Sequence, residues 1–262
     1  MLSELPEEWD ECLNRWSRWN QGKKSLHNGV RVPVPSEEVL LYQSMLGSWP
    51  FEEEGVSEFR LRLKAYVCKA AREAKIHTNW IDPDAEHEAA LESFVDAILD
   101  TSARNRFLTD FLHFQQKIAF HGAMNSLAQL VLKIASPGLP DFYQGSELWD
   151  FSMVDPDNRR PVDYQKRVRL LDELKGEGSR DRIALVSALV DQWRDGRIKL
   201  FVTRTALEIR RANADLFAEG DYLPIGAKGR VKDNVCAFGR RKSGRWVLAV
   251  VPRLSTQLEA VS

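Results

Sequence analysis

Through most of the first 135 residues, apolar side chains recur at intervals of three and four, the period of a helix with one buried face. Phe59, Leu63, Tyr66, Val67 and Ala70 form one such stripe, with Arg62, Lys69, Arg72 and Glu73 on the opposite face. Leu91, Phe94, Val95, Ile98 and Leu99 form a second, and Phe107, Leu108, Phe111, Leu112 and Ile118 a third. Helices are therefore expected over Leu5–Trp19, from Ser36 to Gly47, from Phe59 to a stop before Asn79, and after Asp82-Pro83-Asp84. Ser102 is expected to cap the helix that holds Phe107, and Asn125–Ala135 to form a separate one. Glu37 and Glu38 suit a helix's positive end, whereas Asn20–Pro35, rich in Gly, Asn and Pro, reads as a break. Further on, Asp163 caps Tyr164–Leu174, Gly176-Glu-Gly178 is a separator, and Asp181–Trp193 and Ile198–Ala212 are helical. Only Val231–Gly239 and Arg245–Val251, joined by the turn Arg241-Lys-Ser-Gly244, carry strand character. The fold class is mainly α with a small β patch near the end.

Between these parts, Ser136-Pro137-Gly138 halts the helical pattern and opens a segment of different chemistry. Leu139–Tyr143 reads as one short strand emptying into a loop dense in carboxylate, aromatic, amide and guanidinium groups. Aromatic faces stack on the apolar face of a pyranose, and Asp, Glu, Asn, Gln and Arg fix its hydroxyls, so the mixture suits a sugar. Tyr143, Gln144 and Glu147 lie at the strand exit, where a β/α barrel keeps its substrate contacts. Gly145 supplies backbone freedom there. Asp155, Asp157, Asn158, Arg159 and Arg160 follow. Glu147, Asp150, Asp155 and Asp157 admit a two-carboxylate glycosidase reading. Subsite binding, or a scaffolding turn built on Asp155-Pro156-Asp157-Asn158, explains the same residues without catalysis. Lys75 and His77, ending a helix beside Trp80, form a further polar cluster with an aromatic platform, and ordinary dipole complementarity also accounts for a base there.

Composition narrows the partners. With 37 basic and 38 acidic residues the net charge is −1, so nothing recommends nucleic acid or an anionic membrane. No run approaches the roughly 20 apolar residues needed to span a bilayer. Three widely spaced cysteines, Cys12, Cys68 and Cys236, suggest reduced thiols in a cytoplasm. Neither a metal nor a cofactor motif is present.

Pro137-Gly-Leu-Pro-Asp-Phe-Tyr-Gln-Gly-Ser-Glu-Leu-Trp-Asp150 and Val154-Asp-Pro-Asp-Asn-Arg-Arg-Pro-Val-Asp163 resemble the region of the eighth barrel strand in the maltooligosyl trehalose synthases, a family of the α-amylase superfamily. The resemblance extends through Tyr66–Trp80, Asn125–Gln129, Trp193–Leu200 and Val250–Leu254. It implies a helical, bundle-like carboxyl-terminal fragment carrying the last strand region of a β/α barrel and an incomplete β patch. The expected segments are 1–135, helical; 136–162, strand and substrate-facing loop; 163–217, helical; and 218–262, the start of a β-rich part. It also implies a parent activity, intramolecular transglycosylation of maltooligosaccharides, needing no cofactor. The superfamily's catalytic carboxylates follow the fourth, fifth and seventh strands, and their motifs are absent here. No catalytic residue is therefore assigned, the isolated chain is expected to be inactive, and the missing amino-terminal barrel portion is an expected partner. Exposed apolar helix faces favour self-association. The alternative is a non-catalytic helical module, derived from such an enzyme, that binds glucan or protein.

Overall fold

The computed structural model describes residues 2–51, 55–102, 104–177 and 181–259. The chain divides into two compact units, residues 1–119 with 151–160, and residues 120–150 with 161–262. These limits fall elsewhere than the four segments read from the sequence: the first cuts within a helix, and the loop after Ser136 is shared out between the units.

The first unit holds helices α1 (Pro6–Asn20), α2 (Pro35–Ser48), α3 (Val56–Ala74), α4 (Ala85–Ile98) and the first half of α5 (Arg106–Ala135), with a hairpin of β1 (Ser25–His27) and β2 (Val30–Val32). Its core is aromatic. Trp16, fully buried, meets Tyr42, Phe107 and Phe111 at ring separations of 5.6 Å and Trp9 and Phe114 at 6.0 Å. A buried indole N–H needs an acceptor, and Trp16 Nε1 donates to Asp110 Oδ2 at 2.7 Å. Glu38 is buried too. Its carboxylate accepts from Tyr42 Oη at 2.7 Å, Ser17 Oγ at 3.0 Å and Lys24 Nζ at 2.7 Å, so its charge is paired and its lone pairs are used.

Local chemistry sets the helix ends. Asp84 caps α4, accepting from the Glu86 and His87 amides. Ser102 does not cap α5: its hydroxyl donates to Asp100, and Asn105 Oδ1 takes the Leu108 amide at 3.3 Å instead. Nor is Asn125–Ala135 a separate helix. It is the last third of the 30-residue α5, because the buried positions continue through His121, Ala123, Ala128, Leu130 and Ile134. The cost of Gly122 in mid-helix, about 1 kcal/mol, is smaller than that burial. The stretch read as a break contains the β1–β2 hairpin, whose two-residue turn Asn28-Gly29 takes φ of 49° and 77°, the pairing a right-twisted hairpin favours.

The second unit begins with the rest of α5 and contains α6 (Tyr164–Glu177), α7 (Arg182–Asp191), α8 (Arg197–Ala212), α9 (Ala214–Glu219) and an antiparallel sheet ordered β3 (Asp221–Pro224), β4 (Val235–Lys242), β5 (Arg245–Pro252). The short Thr256–Glu259 helix ends the described chain. Asp163 caps α6 as expected, and Asp181, read as the first helical residue, is the cap of α7, accepting from the Ile183 and Ala184 amides. Gly176 remains inside α6, and Gly178 lies outside the described residues. Phe238 and Ala249 pack with Leu216, Phe217 and Ala135. β4 starts four residues later than read, after a short 3-10 turn at Lys232–Asn234, and β3 adds a strand that the sequence did not suggest. Ser243-Gly244 turns β4 into β5 with φ of 50° and 80°. β5 is an edge, and Trp246, Leu248 and Val250 alternate outward along it, 49–60% exposed.

Leu139–Tyr143 is not a strand. It is irregular chain with Leu139 96% exposed, because a barrel strand takes its hydrogen bonds from parallel neighbours, which none of the described residues supply. The fold is otherwise as read, mainly α with two small antiparallel sheets.

Candidate functional site

In the second unit the residues after Ser136 close a turn at Tyr143–Glu147. Ser146 donates both its amide, at 3.2 Å, and its hydroxyl, at 2.6 Å, to the Tyr143 carbonyl. Gly145 sits at φ 90°, and a Cβ there would stand 3.2 Å from Val162 Cγ2, so the freedom expected of this glycine is used. Arg167 on α6 organises the turn. It donates to Glu147 Oε2 at 2.8 Å, to the Gly145 carbonyl at 2.6 Å and to the Asp163 carbonyl at 3.0 Å. Tyr164 Oη reaches Gln144 Oε1 at 3.4 Å. Beyond it, Lys199 Nζ donates to the Leu148 carbonyl, and burial pushes this ammonium below the usual lysine range. Tyr143 remains half exposed.

In the first unit residues 151–160 lie on α3. Asp157 receives a two-pronged contact from Arg62, Nε at 2.8 Å and Nη2 at 2.9 Å, together with the Met153 amide at 2.7 Å. Arg62 also donates to the Phe151 carbonyl, and Arg160 stands 3.1 Å from Asp157 while donating to Glu58 at 2.7 Å. Partial burial alone would raise the Asp157 carboxyl, but Arg62 and the Met153 amide hold it below the usual carboxylate range. Asp155, bonded to Lys69, is lowered by that ammonium, and Arg159 touches its far oxygen at 3.4 Å. Asn158 is half-buried in the 3-10 turn Asp157–Arg159. Carboxyls held ionised make poor proton donors at neutral pH, so Asp155 and Asp157 are suited to binding or bracing and unsuited to acid catalysis.

Lys75 and His77 are placed apart from both groups in the sequence sense, after α3. Lys75 is the helix's left-handed cap at φ 56°, and Arg72, not Lys75, lies over the Trp80 ring at 4.9 Å. His77 stacks on His87 at 4.9 Å, and His87 pairs with Glu37 at 2.8 Å. His27 bridges Asp84 at 2.8 Å and Glu86 at 3.2 Å. His77 also borders an apolar cavity of about 180 Å³ between α2 and α3, lined by Leu40, Val67 and Ala71. No group of three or more His, Cys, Asp or Glu among the described residues is arranged to hold a metal. None of the described helices is long and apolar enough to cross a membrane.

The sequence reading missed the partners that position these residues. Arg62 and Lys69 were legible only as the polar face of a helix, and Arg167 and Glu58 gave no signal at all, since contact across 20 to 102 positions leaves no local pattern.

No protein-family model matches the chain. It is 35% identical over 243 residues to "Putative maltooligosyl trehalose synthase" of two Mycobacterium tuberculosis strains, covering 92% of this chain and 28% of the relative. The solved maltooligosyltrehalose synthase of Arthrobacter ramosus superposes with a TM-score of 0.78 at 33% identity, over 100% of this chain and 30% of that one. A second solved maltooligosyl trehalose synthase gives 0.78 at 30% identity, over 96% of this chain and 31% of the other. In sequence and in fold the chain belongs with the maltooligosyl trehalose synthases, and it spans under a third of their length.

Proposed function

We propose that this chain acts as the carboxyl-terminal part of an enzyme that converts the reducing-end α-1,4 linkage of a maltooligosaccharide into an α,α-1,1 linkage by intramolecular transglycosylation. The single observation that carries the reading is the likeness, above 30% identity and along nearly the whole chain, to proteins bearing the name of that activity. A retaining enzyme of this kind cleaves the terminal bond, keeps the released glucose, and rejoins it through its anomeric hydroxyl before water intervenes. The acceptor must therefore be gripped in a closed pocket.

The residues after Ser136 are suited to that grip. Tyr143 offers an exposed aromatic face, and Gln144 and Glu147 are held in one turn by Tyr164 and Arg167. In the first unit, Asp155, Asn158 and Arg159 offer polar contacts of their own, while Asp157 and Arg160 brace that segment through Arg62 and Glu58 and keep edges suited to sugar hydroxyls. Lys75 and His77 are assigned a more distant binding role. The chain supplies no catalytic carboxylate, takes its amino-terminal barrel portion as partner, and works in a cytoplasm, where three free thiols persist.

Two measurements test this. The chain alone with maltopentaose should leave reducing ends unchanged; their loss without hydrolysis would show that it is a complete catalyst. In a full-length maltooligosyl trehalose synthase, Ala at the positions matching Tyr143, Glu147, Asp157 and Arg160 should raise free glucose relative to trehalose-ended product. A lost hydrogen bond to a buried sugar costs about 1–3 kcal/mol, enough for about a ten-fold change in that ratio. An unchanged ratio at all four positions would reduce the segment to scaffolding.

A further inference from the structure

The end of α1, the turn after α4 and the start of α5 border a cavity of about 280 Å³ that shares no lining residue with the candidate site and has a distinctive lining. Three cations border it, Lys23, Arg104 and Arg106, against one carboxylate, Asp100. Arg104 makes no hydrogen bond or ion pair with any described residue, and among the described residues the Arg106 side chain is engaged only through its guanidinium over the Trp19 ring at 4.8 Å. Lys23 Nζ has one neutral acceptor, Asn105 Oδ1 at 3.1 Å, and burial lowers this ammonium from the ordinary lysine range. An anion delivered here would meet donors whose capacity is unspent and would relieve a desolvated positive charge.

The rest of the lining asks for more than a bare anion. Asn20 is fully buried, its amide nitrogen is used on Tyr42 Oη at 2.8 Å, and its Oδ1 accepts from no donor among the described residues. Asp100 takes the Ser102 amide and hydroxyl on Oδ1, and these bonds keep its carboxyl below the usual range and so available as an acceptor. Trp19 adds an apolar wall. A cavity lined by cations, by acceptors with capacity to spare and by an indole complements a molecule carrying an anionic group on a hydroxylated body. The geometry points to a binding site for a small phosphorylated polyol, its phosphate held by Arg104, Arg106 and Lys23 and its hydroxyls donating to Asn20 and Asp100. Nothing in this assignment depends on the glucan activity proposed above.

Isothermal titration of the chain with glucose 6-phosphate, glucose and methyl phosphate tests each half. Saturable binding of glucose 6-phosphate is expected, with glucose and methyl phosphate each weaker by about ten-fold or more, since each lacks one set of contacts. Affinity should fall as salt rises from 0.05 to 0.5 M, on the order expected for partly exposed charges. Replacing Arg104→Ala with Arg106→Ala should weaken binding by about ten-fold or more. Should that double variant melt early, Arg104→Gln carries the same comparison, because its side chain supports nothing else among the described residues. No saturable binding, methyl phosphate as tight as glucose 6-phosphate, or affinity indifferent to the arginines would each overturn the assignment.

Discussion

Replacing Asp157 with Asn offers a sharp test of how residues 151–160 are held. The wild-type carboxylate receives three N–H donors within 2.9 Å, two from Arg62 and one from Met153, and the Asp157 and Arg62 side chains are only 12% and 14% exposed. Removing one partner of a fully buried pair costs about 3–5 kcal/mol. Residual solvent at this pair screens part of the loss, so about 2–4 kcal/mol is expected. At the entropy of unfolding of a chain this size that is a fall in Tm of about 4–7 °C. Arg159→Ala, which removes a 3.4 Å contact from an exposed side chain, should by contrast stay within about 0.5 kcal/mol of wild type. The pH dependence has a definite sign. A carboxyl whose folded value is depressed contributes its stability above the unfolded value, about 3.9, and loses it as pH falls through the folded one. The gap between wild type and Asp157→Asn, followed by circular dichroism at 222 nm, should therefore be constant from pH 6 to 8, as expected from linkage, and shrink below about pH 4. A gap of a degree or less at neutral pH, or one as wide at pH 3 as at pH 7, would refute the view that this charge pair anchors the segment.

Three other outcomes follow from burial. Burial, with Glu92 and Glu88 nearby, pushes the Cys68 thiol up to about 12, and burial also raises Cys12, so Ellman's reagent at pH 8 should label half-buried Cys236 promptly and the other two only after denaturation; rapid labelling of Cys68 would contradict this. Glu38→Leu strands the Lys24 ammonium, 4% exposed, and should cost about 3–5 kcal/mol in urea titrations, most of it recovered by adding Lys24→Met; a double variant no better than the single one would count against the pairing. Gly220→Ala would place a Cβ 2.3 Å from the Leu216 carbonyl oxygen and 3.0 Å from that of Arg241, both backbone, and should destabilise by about 1–3 kcal/mol; wild-type stability would refute that clash.

The helices were legible because their information is local. Asp84, Asp163 and Asp181 announce helix starts within three residues of the amides they cap, and stripes such as Phe59, Leu63 and Val67 fix which face is buried. The failures have physical causes. Ser102 and Asn105 are equally plausible caps in isolation, and only the packing of Phe107 and Phe111 around Trp16 settles where α5 begins. Asn28-Gly29 carried a hairpin signal, but strands of three residues are too short to show alternation. Leu139–Tyr143 has strand composition, yet pairing is a property of neighbours and cannot be read from one segment. The loop's chemistry was visible as residue types. That Asp157 is invested in Arg62, 95 positions away, was not.

The open flank of β5 bears on how the chain behaves at the bench. β5 pairs with β4 along its eight residues and with no other strand among the described residues, so the backbone groups on its far side, near exposed Trp246, Leu248 and Val250, are a template on which another copy can add a strand. The concentration at which this protein stays dispersed is then set by its sheet border more than by its near-zero charge, and a lysine at Leu248 is the place to begin when preparing it for crystals or spectra.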